Sequence, residues 1–148
     1  AWNDGELSFA EFAARVNKLA HGFSSNGVEK GVPVLIRMHN CHEFAETVLA
    51  LLKIGALPVL QNSLLGEEEV DYVLTHSDAR AAVTLGSVAG PLIKLSDKLP
   101  VGVFAARGAP KGSKAFESLI ENAPETTFET ADTDANEPAF FVYTSATT

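Results

Sequence analysis

Val34-Leu35-Ile36-Arg37-Met38 is a short, nearly unbroken apolar run, the pattern of a strand covered on both faces. Asn40-Cys41-His42-Glu43 follows at once and reads as a helix start with Asn40 as N-cap; Phe44, Ala45, Val48, Leu49 and Leu52 then supply an apolar stripe that stops at Gly55. Ala56–Leu60 is the next expected strand. Strand, helix and strand in immediate succession call for parallel pairing, because a helical crossover returns the chain to the end of the sheet where it began. Pro58 cannot donate to a ladder and so belongs at an edge, a strand end or a bulge.

The same alternation runs along the rest of the chain. Before the strand, Phe9, Phe12, Ala13, Val16, Leu19, Ala20 and Phe23 fall on one helical face, expected to be buried along nearly its whole length. Ser8 and Glu11 form a capping box, and Gly27 with Val28 predicts a Schellman ending. A third helix is expected from Glu67-Glu68-Glu69 to His76, charged to suit its dipole at both ends, with Val70, Val73 and Leu74 inward. Ala81–Leu85 is a strand, Ala89–Leu99 a short helix, and Val101–Phe104 a strand. Ala105–Lys114 reads as an exposed loop and Ala115–Asn122 as a short helix. Residues 123–138 hold five acids (Glu125, Glu129, Asp132, Asp134, Glu137) and no base, and read as a solvated connector. Ala139-Phe140-Phe141-Val142-Tyr143 is a concentrated β-former run, taken as a buried strand. The fold class this defines is α/β, one region over residues 1–148, with a mostly parallel sheet flanked by helices.

With 148 residues, 46% of them hydrophobic, the chain can bury a core, which excludes disorder. A net charge of −8 repels nucleic acid and anionic membrane surfaces, so no nucleic-acid partner is expected. Apolar stretches end well short of the roughly 18 residues of a membrane span. Ala1–Leu7 has no basic or apolar leader pattern, and the lone Cys41 suits a reducing compartment, so a cytoplasmic location is expected. The first residue is not Met, which suggests trimming. Asn3-Asp4-Gly5, between Trp2 and Leu7, reads as a hairpin turn whose partner strand has been cut away.

Chemistry concentrates at the end of the sequence. Thr144-Ser145-Ala146-Thr147-Thr148 offers four hydroxyls in five residues beside backbone N–H groups, a donor-rich loop suited to phosphate oxygens; by composition alone a polar tail after an edge strand is the better reading. The Gly-rich spacing that ends in Gly-Lys-Ser/Thr is absent. His39, Cys41 and His42 cluster at a strand-to-helix junction but fall short of the four ligands zinc takes. Cys41 near a helix start could have a lowered thiol pKa, yet a buried structural role is the better reading. Trp2, Phe9 and Phe12 read as packing, and the triple Glu as a favourable helix start.

Glu137-Pro138-Ala139-Phe140-Phe141-Val142-Tyr143-Thr144-Ser145-Ala146-Thr147-Thr148 resembles the lead-in and first half of the phosphate-loop signature of the AMP-forming adenylating enzymes, usually Tyr-Thr-Ser-Gly-Thr-Thr-Gly and then Pro-Lys-Gly. That family comprises acyl-CoA and aryl-CoA synthetases, adenylation domains and luciferases. Leu7–Phe12, Gly27–Gly31 and Asn40–Ala56 are similar to its opening helices and strands in the same order. The resemblance implies part of a large N-terminal α/β domain. It implies that Thr144, Ser145, Ala146, Thr147 and Thr148 form a loop holding the β and γ phosphates of ATP, with no general acid or base among them. The reaction implied joins a small-molecule carboxylate to ATP, with Mg²⁺, and passes the acyl group from acyl-AMP to coenzyme A. Ala146 stands where the family has Gly; if positive φ is needed there, Ala costs on the order of 1 kcal/mol. The sequence stops before the second Gly and the Lys of the motif, so this chain alone is expected to be inactive. Two other readings stay open: a stand-alone α/β module that binds an anion or nucleotide, and a non-catalytic scaffold. An exposed apolar sheet edge would also favour a homo-oligomer.

Overall fold

Ser8 starts the first helix through reciprocal bonds: its hydroxyl accepts from the Glu11 N–H at 3.2 Å and the Glu11 carboxylate accepts from the Ser8 N–H at 2.8 Å. The structure is a computed structural model and describes residues 6–143; the turn expected at Asn3-Asp4-Gly5 and Trp2 lie outside the described residues. Helix α1 (Phe9–Ser25) ends as the sequence requires, with Gly27 at φ 92° and the Val28 N–H folded back onto the Phe23 carbonyl at 3.1 Å. Its burial is shorter than expected. The buried face begins at Val16, while Ala13 is exposed and Phe9 is 95% exposed, so of the apolar positions in the first two turns only Phe12 reaches the core, and it is half-buried.

Strand β1 (Pro33–Arg37), helix α2 (His42–Ile54) and strand β2 (Leu57–Leu60) form the βαβ unit, with Pro33 opposite Leu57 and Ile36 opposite Leu60. Helix α3 (Glu67–Ser77) carries the chain to β3 (Ala81–Leu85) on the other side of β1, and α4 (Gly90–Lys94) leads to β4 (Gly102–Ala106). Strand β5 (Lys114–Ala115), helix α5 (Ser118–Glu121) and strand β6 (Phe141–Val142) complete the described elements. The sheet order is β5-β4-β3-β1-β2-β6 and each of these pairings is parallel, as the alternation predicts. Helices α1, α2 and α5 cover one face with Leu19, Phe23, Leu51, Ile54 and Leu119; α3 and α4 cover the other with Val70, Val73, Leu74 and Leu92. Contact between α1 and α5 requires Gly22, where a Cβ would lie 2.4 Å from the Leu119 carbonyl oxygen.

Pro58 sits one strand in from the edge without loss. Leu57 and Gln61 donate toward β1, to Val32 O and Ile36 O at 2.9 and 3.1 Å. By alternation the position of Pro58 faces the other way, where β6 pairs only from Val59 onward. Other expectations need correction. The N-cap of α2 is Cys41 and not Asn40, and the Cys41 side chain makes no capping bond. The core face of α2 is Glu43, Glu46, Thr47, Ala50, Leu51 and Ile54; the predicted stripe lies beside it, with Leu49 44% exposed. The helix expected over 89–99 stops at Lys94 and continues as a 3₁₀ turn at Ser96–Lys98, because Ser and Asp favour turns over helix interiors. Ala105 and Ala106 are buried in β4 and Lys114 already belongs to β5, so the loop expected over 105–114 is confined to residues 107–113. The helix expected over 115–122 is confined to Ser118–Glu121. The run 139–143 contributes only Phe141–Val142 to the sheet, and it is exposed edge, with Phe141 40% and Val142 57% accessible.

Candidate functional site

Because the strands run parallel, their carboxyl ends meet along one edge, where open α/β sheets bind ligands. The strand order reverses at β1 and β3. At that point the Arg37 side chain is 3% exposed and bonds two carbonyls from different loops: Val88 O at 2.7 Å after β3, and Leu65 O at 2.6 Å after β2. Thr84 on β3 donates to Arg37 O at 2.8 Å. Among the described residues the Arg37 Nε has no partner, and burial pushes the guanidinium below its ordinary pKa. Arg37 is thus a clamp between two edge loops. The loops after β3 and β4 also touch, since a Cβ on Gly86 would lie 2.0 Å from the Gly108 carbonyl oxygen.

A second set of charges stands beside α2. Arg15 on α1 makes a two-point bond to Glu46, at 2.6 and 3.1 Å, and His42 Nδ1 lies 3.2 Å from the same carboxylate, which is wholly buried. Arg107, just past β4, makes the matching two-point bond to Glu43 at 2.7 and 3.0 Å. Burial would raise the Glu43 carboxyl, but the Arg107 bonds, its own backbone N–H, Cys41 and His42 hold it down at about 2. Both carboxylates accept strong, directional bonds and both are buried. Their chemistry is to lock α1, α2 and the loop after β4 together.

His39, Cys41 and His42 do not converge. Cys41 turns inward with its Sγ 3.8 Å from Met38 Sδ, and burial pushes its thiol up to about 11, the opposite of an activated nucleophile. Among the described residues no three His, Cys, Asp or Glu side chains form a metal-binding group. The triple Glu opens α3, with Glu67 paired to Lys94 at 2.6 Å. Phe12 is half-buried against the core beside α2.

The predicted loop residues Thr144, Ser145, Ala146, Thr147 and Thr148 lie outside the described residues. What leads to them is described. Strand β6 pairs Val59 with Phe141 and Leu60 with Val142, and the Tyr143 N–H donates to Leu60 O at 3.0 Å, so the described chain ends with Tyr143 at the carboxyl edge of the sheet beside β2. The Tyr143 hydroxyl lies 2.5 Å from His76 Nδ1 on α3. A cavity of about 290 Å³, lined by Lys30, Gly31, Gly55, Leu57, Asp134 and Ala139 among others, opens at the amino ends of β1 and β2.

Sequence reasoning missed Glu43, Glu46, Arg15, Arg107, Arg37 and His76. One signal was present: Glu43, Glu46 and Thr47 share the i, i+3, i+4 spacing with Ala50, Leu51 and Ile54. Their partners stand 31 and 64 residues away and give no local pattern.

The AMP-binding enzyme family matches over residues 1–148. The chain belongs to that family. It is 28% identical over 97% of its length to a benzoate–CoA ligase of Thauera aromatica, and 30% identical over 99% of its length to a 3-oxocholest-4-en-26-oate–CoA ligase of Rhodococcus rhodochrous. It spans only 27% and 28% of those two proteins. Among solved structures, a benzoate CoA ligase from Burkholderia xenovorans LB400 superposes with a TM-score of 0.83 at 25% identity, over 93% of this chain and 27% of that one. An anthranilate CoA ligase in complex with anthranoyl-AMP shares the fold, with a TM-score of 0.80 at 23% identity, over 87% of this chain and 25% of that one. No described helix is long and apolar enough to cross a membrane.

Proposed function

We propose that these residues are the N-terminal part of an ATP-dependent, AMP-forming carboxylate–CoA ligase that works through an acyl-adenylate. The observation that carries the reading is the family match along the whole chain, with CoA ligases as its named relatives. In this reading the Thr144, Ser145, Thr147 and Thr148 hydroxyls, with the backbone N–H groups around Ala146, hold the β and γ phosphates of ATP. Hydroxyls and amides are neutral donors that suit phosphoryl oxygens, and β6 leads to them at the edge where α/β sheets take nucleotides. Mg²⁺ would supply charge neutralisation on those oxygens. The chain's own part is to fix the loop's origin, through β6 pairing to β2, and to hold the edge loops in place through Arg37.

The carboxylate and coenzyme A would be handled by residues beyond these 148, so the chain alone should not adenylate an acid. The test is pyrophosphate release by the complete natural protein, given ATP, Mg²⁺, coenzyme A and a panel of aryl and fatty acids. Release dependent on an acid, with a matching acyl-CoA product, is the expected result. ATP binding without turnover of any acid would leave the anion- or nucleotide-binding module; neither binding nor turnover would leave the scaffold.

A further inference from the structure

Tyr143 is the last residue before the hydroxyl-rich loop, and it is tied down at two points. Its backbone N–H is fixed to Leu60 O at 3.0 Å, and its hydroxyl lies 2.5 Å from His76 Nδ1. Its ring meets His76 edge-on, with centroids 5.7 Å apart at 86°, and meets Tyr72 at 6.5 Å and 81°. Tyr72 in turn stacks on His76 at 5.5 Å and 20°. Tyr72 and His76 stand one helical turn apart on the same face of α3, and the ring of Tyr143 packs on the apolar core beneath that helix. The need for such an anchor is visible in β6, which has only two residues, pairs on one side among the described residues, and is exposed. A two-residue edge strand holds its end weakly, and the α3 aromatics add a second fixed point.

We infer that His76, seated by Tyr72, is a positioning residue for the ATP-binding loop: it sets the side chain of Tyr143, the residue that precedes the loop in sequence. This rests on the proposed ligase reading. His76 touches no substrate in this role. Its effect falls on the step that depends on a preorganised loop, ATP binding, and leaves acid and coenzyme A recognition alone.

The test uses the complete natural protein with His76→Phe, Tyr143→Phe, the double variant and His76→Asn, whose amide can restore a bond to the hydroxyl. His76 is exposed, so these changes spare the core. Calorimetry with Mg²⁺ and a non-cleavable α,β-methylene ATP analogue gives the dissociation constant, and kinetics give KM for each substrate. His76→Phe and Tyr143→Phe should each weaken analogue binding and raise the ATP KM about fivefold, the loss of one hydrogen bond near 1 kcal/mol. The acid and coenzyme A KM values should stay within about twofold of the parent protein's, the double variant should be no worse than either single, and His76→Asn should recover most of the loss. Unchanged analogue binding, or equal losses for all three substrates, overturns the inference while the ligase reading stands. An unmutated protein that neither binds the analogue nor releases pyrophosphate overturns the ligase reading itself.

Discussion

Two sets of ion pairs hold segments of this molecule together, and they differ in surroundings more than in geometry. Arg15–Glu46 and Arg107–Glu43 join α1, α2 and the loop after β4 with carboxylates that are 0% and 7% accessible. Lys18–Glu125 and Lys30–Glu137 join residues 123–138 to α1 and to the loop before β1, with acids that are 87% and 44% accessible. The closest contacts in the four pairs run from 2.6 to 3.1 Å, so distance alone does not rank them. Desolvation does. A carboxylate out of water depends wholly on its partner, while one at the surface has water as an equal alternative. The acidic segment is accordingly fastened by more than charge: Phe128 meets His21 edge-on at 5.0 Å, its N–H donates to Asn17 Oδ1 at 3.1 Å, and the Ala131 N–H donates to Lys53 O at 2.9 Å.

The sharpest way to break the contrast is to remove one arginine. Arg15→Met takes from the buried Glu46 its two-point partner, leaves it His42, and should destabilise the fold by about 3–5 kcal/mol, the usual result of stranding a buried charge. Chemical denaturation with a two-state fit gives the number, and a loss below about 1 kcal/mol would sink the claim that burial dominates. Arg107→Met should lose less, because Glu43 keeps its own N–H and the Cys41 and His42 neighbours.

Acid sharpens the same point. Glu43 titrates at about 2 in the fold against an ordinary 4.5. A depressed folded pKa means that its stabilisation is fully present above the unfolded value and is lost as pH falls through the folded one. The unfolding midpoint should therefore drop between about pH 4.5 and 2, and Arg107→Met should flatten that part of the profile. An identical profile in the variant would show that other carboxylates govern acid unfolding.

The contrast also explains what could be read in advance. The capping box at Ser8, the Gly27 ending, the triple-Glu start of α3 and the limits of β3 were all legible, because each is decided by residues within a few positions of one another. The core face of α2 was not. Glu43 and Glu46 look like surface residues until Arg107 and Arg15 arrive from elsewhere in the chain, and Leu49 looks like core until they do. Phe9 misled in the same way, since periodicity gives a helix's face but not how far along it the neighbours reach. At the site, Tyr143 and the hydroxyl run drew notice as a local motif, whereas His76 was placed beside Tyr143 only by the fold. Arg37 interrupts an apolar run as a lone charge, a local clue whose carbonyl partners only the fold supplies.

Cys41 gives a gentler probe of the buried side. With the thiol covered and pushed up to about 11, it should resist alkylation in native buffer at pH 8 and react fully in denaturant. In Arg15→Met the native-state labelling rate should rise in step with the lost stability, since exposure then requires opening of the same packed region. Fast labelling of the unmutated protein would place the thiol at an open surface and contradict the packing around Met38.

The smallest effect is expected at the surface. Lys18→Ala removes a cation whose partner Glu125 is almost fully solvated, and the Phe128, Asn17 and Lys53 contacts that seat the same segment remain. The melting midpoint at neutral pH should therefore stay within about 1 °C of the parent protein's, as for most exposed pairs. Raising the salt to about 1 M, where the screening length is near 3 Å, should erase even that difference while leaving the Arg15→Met deficit almost intact. A Lys18→Ala loss as large as that of Arg15→Met, or an Arg15→Met deficit that salt abolishes, would reverse the ranking. It would mean that the acidic segment is held by its charges after all, and that water reaches the pairs beneath α2.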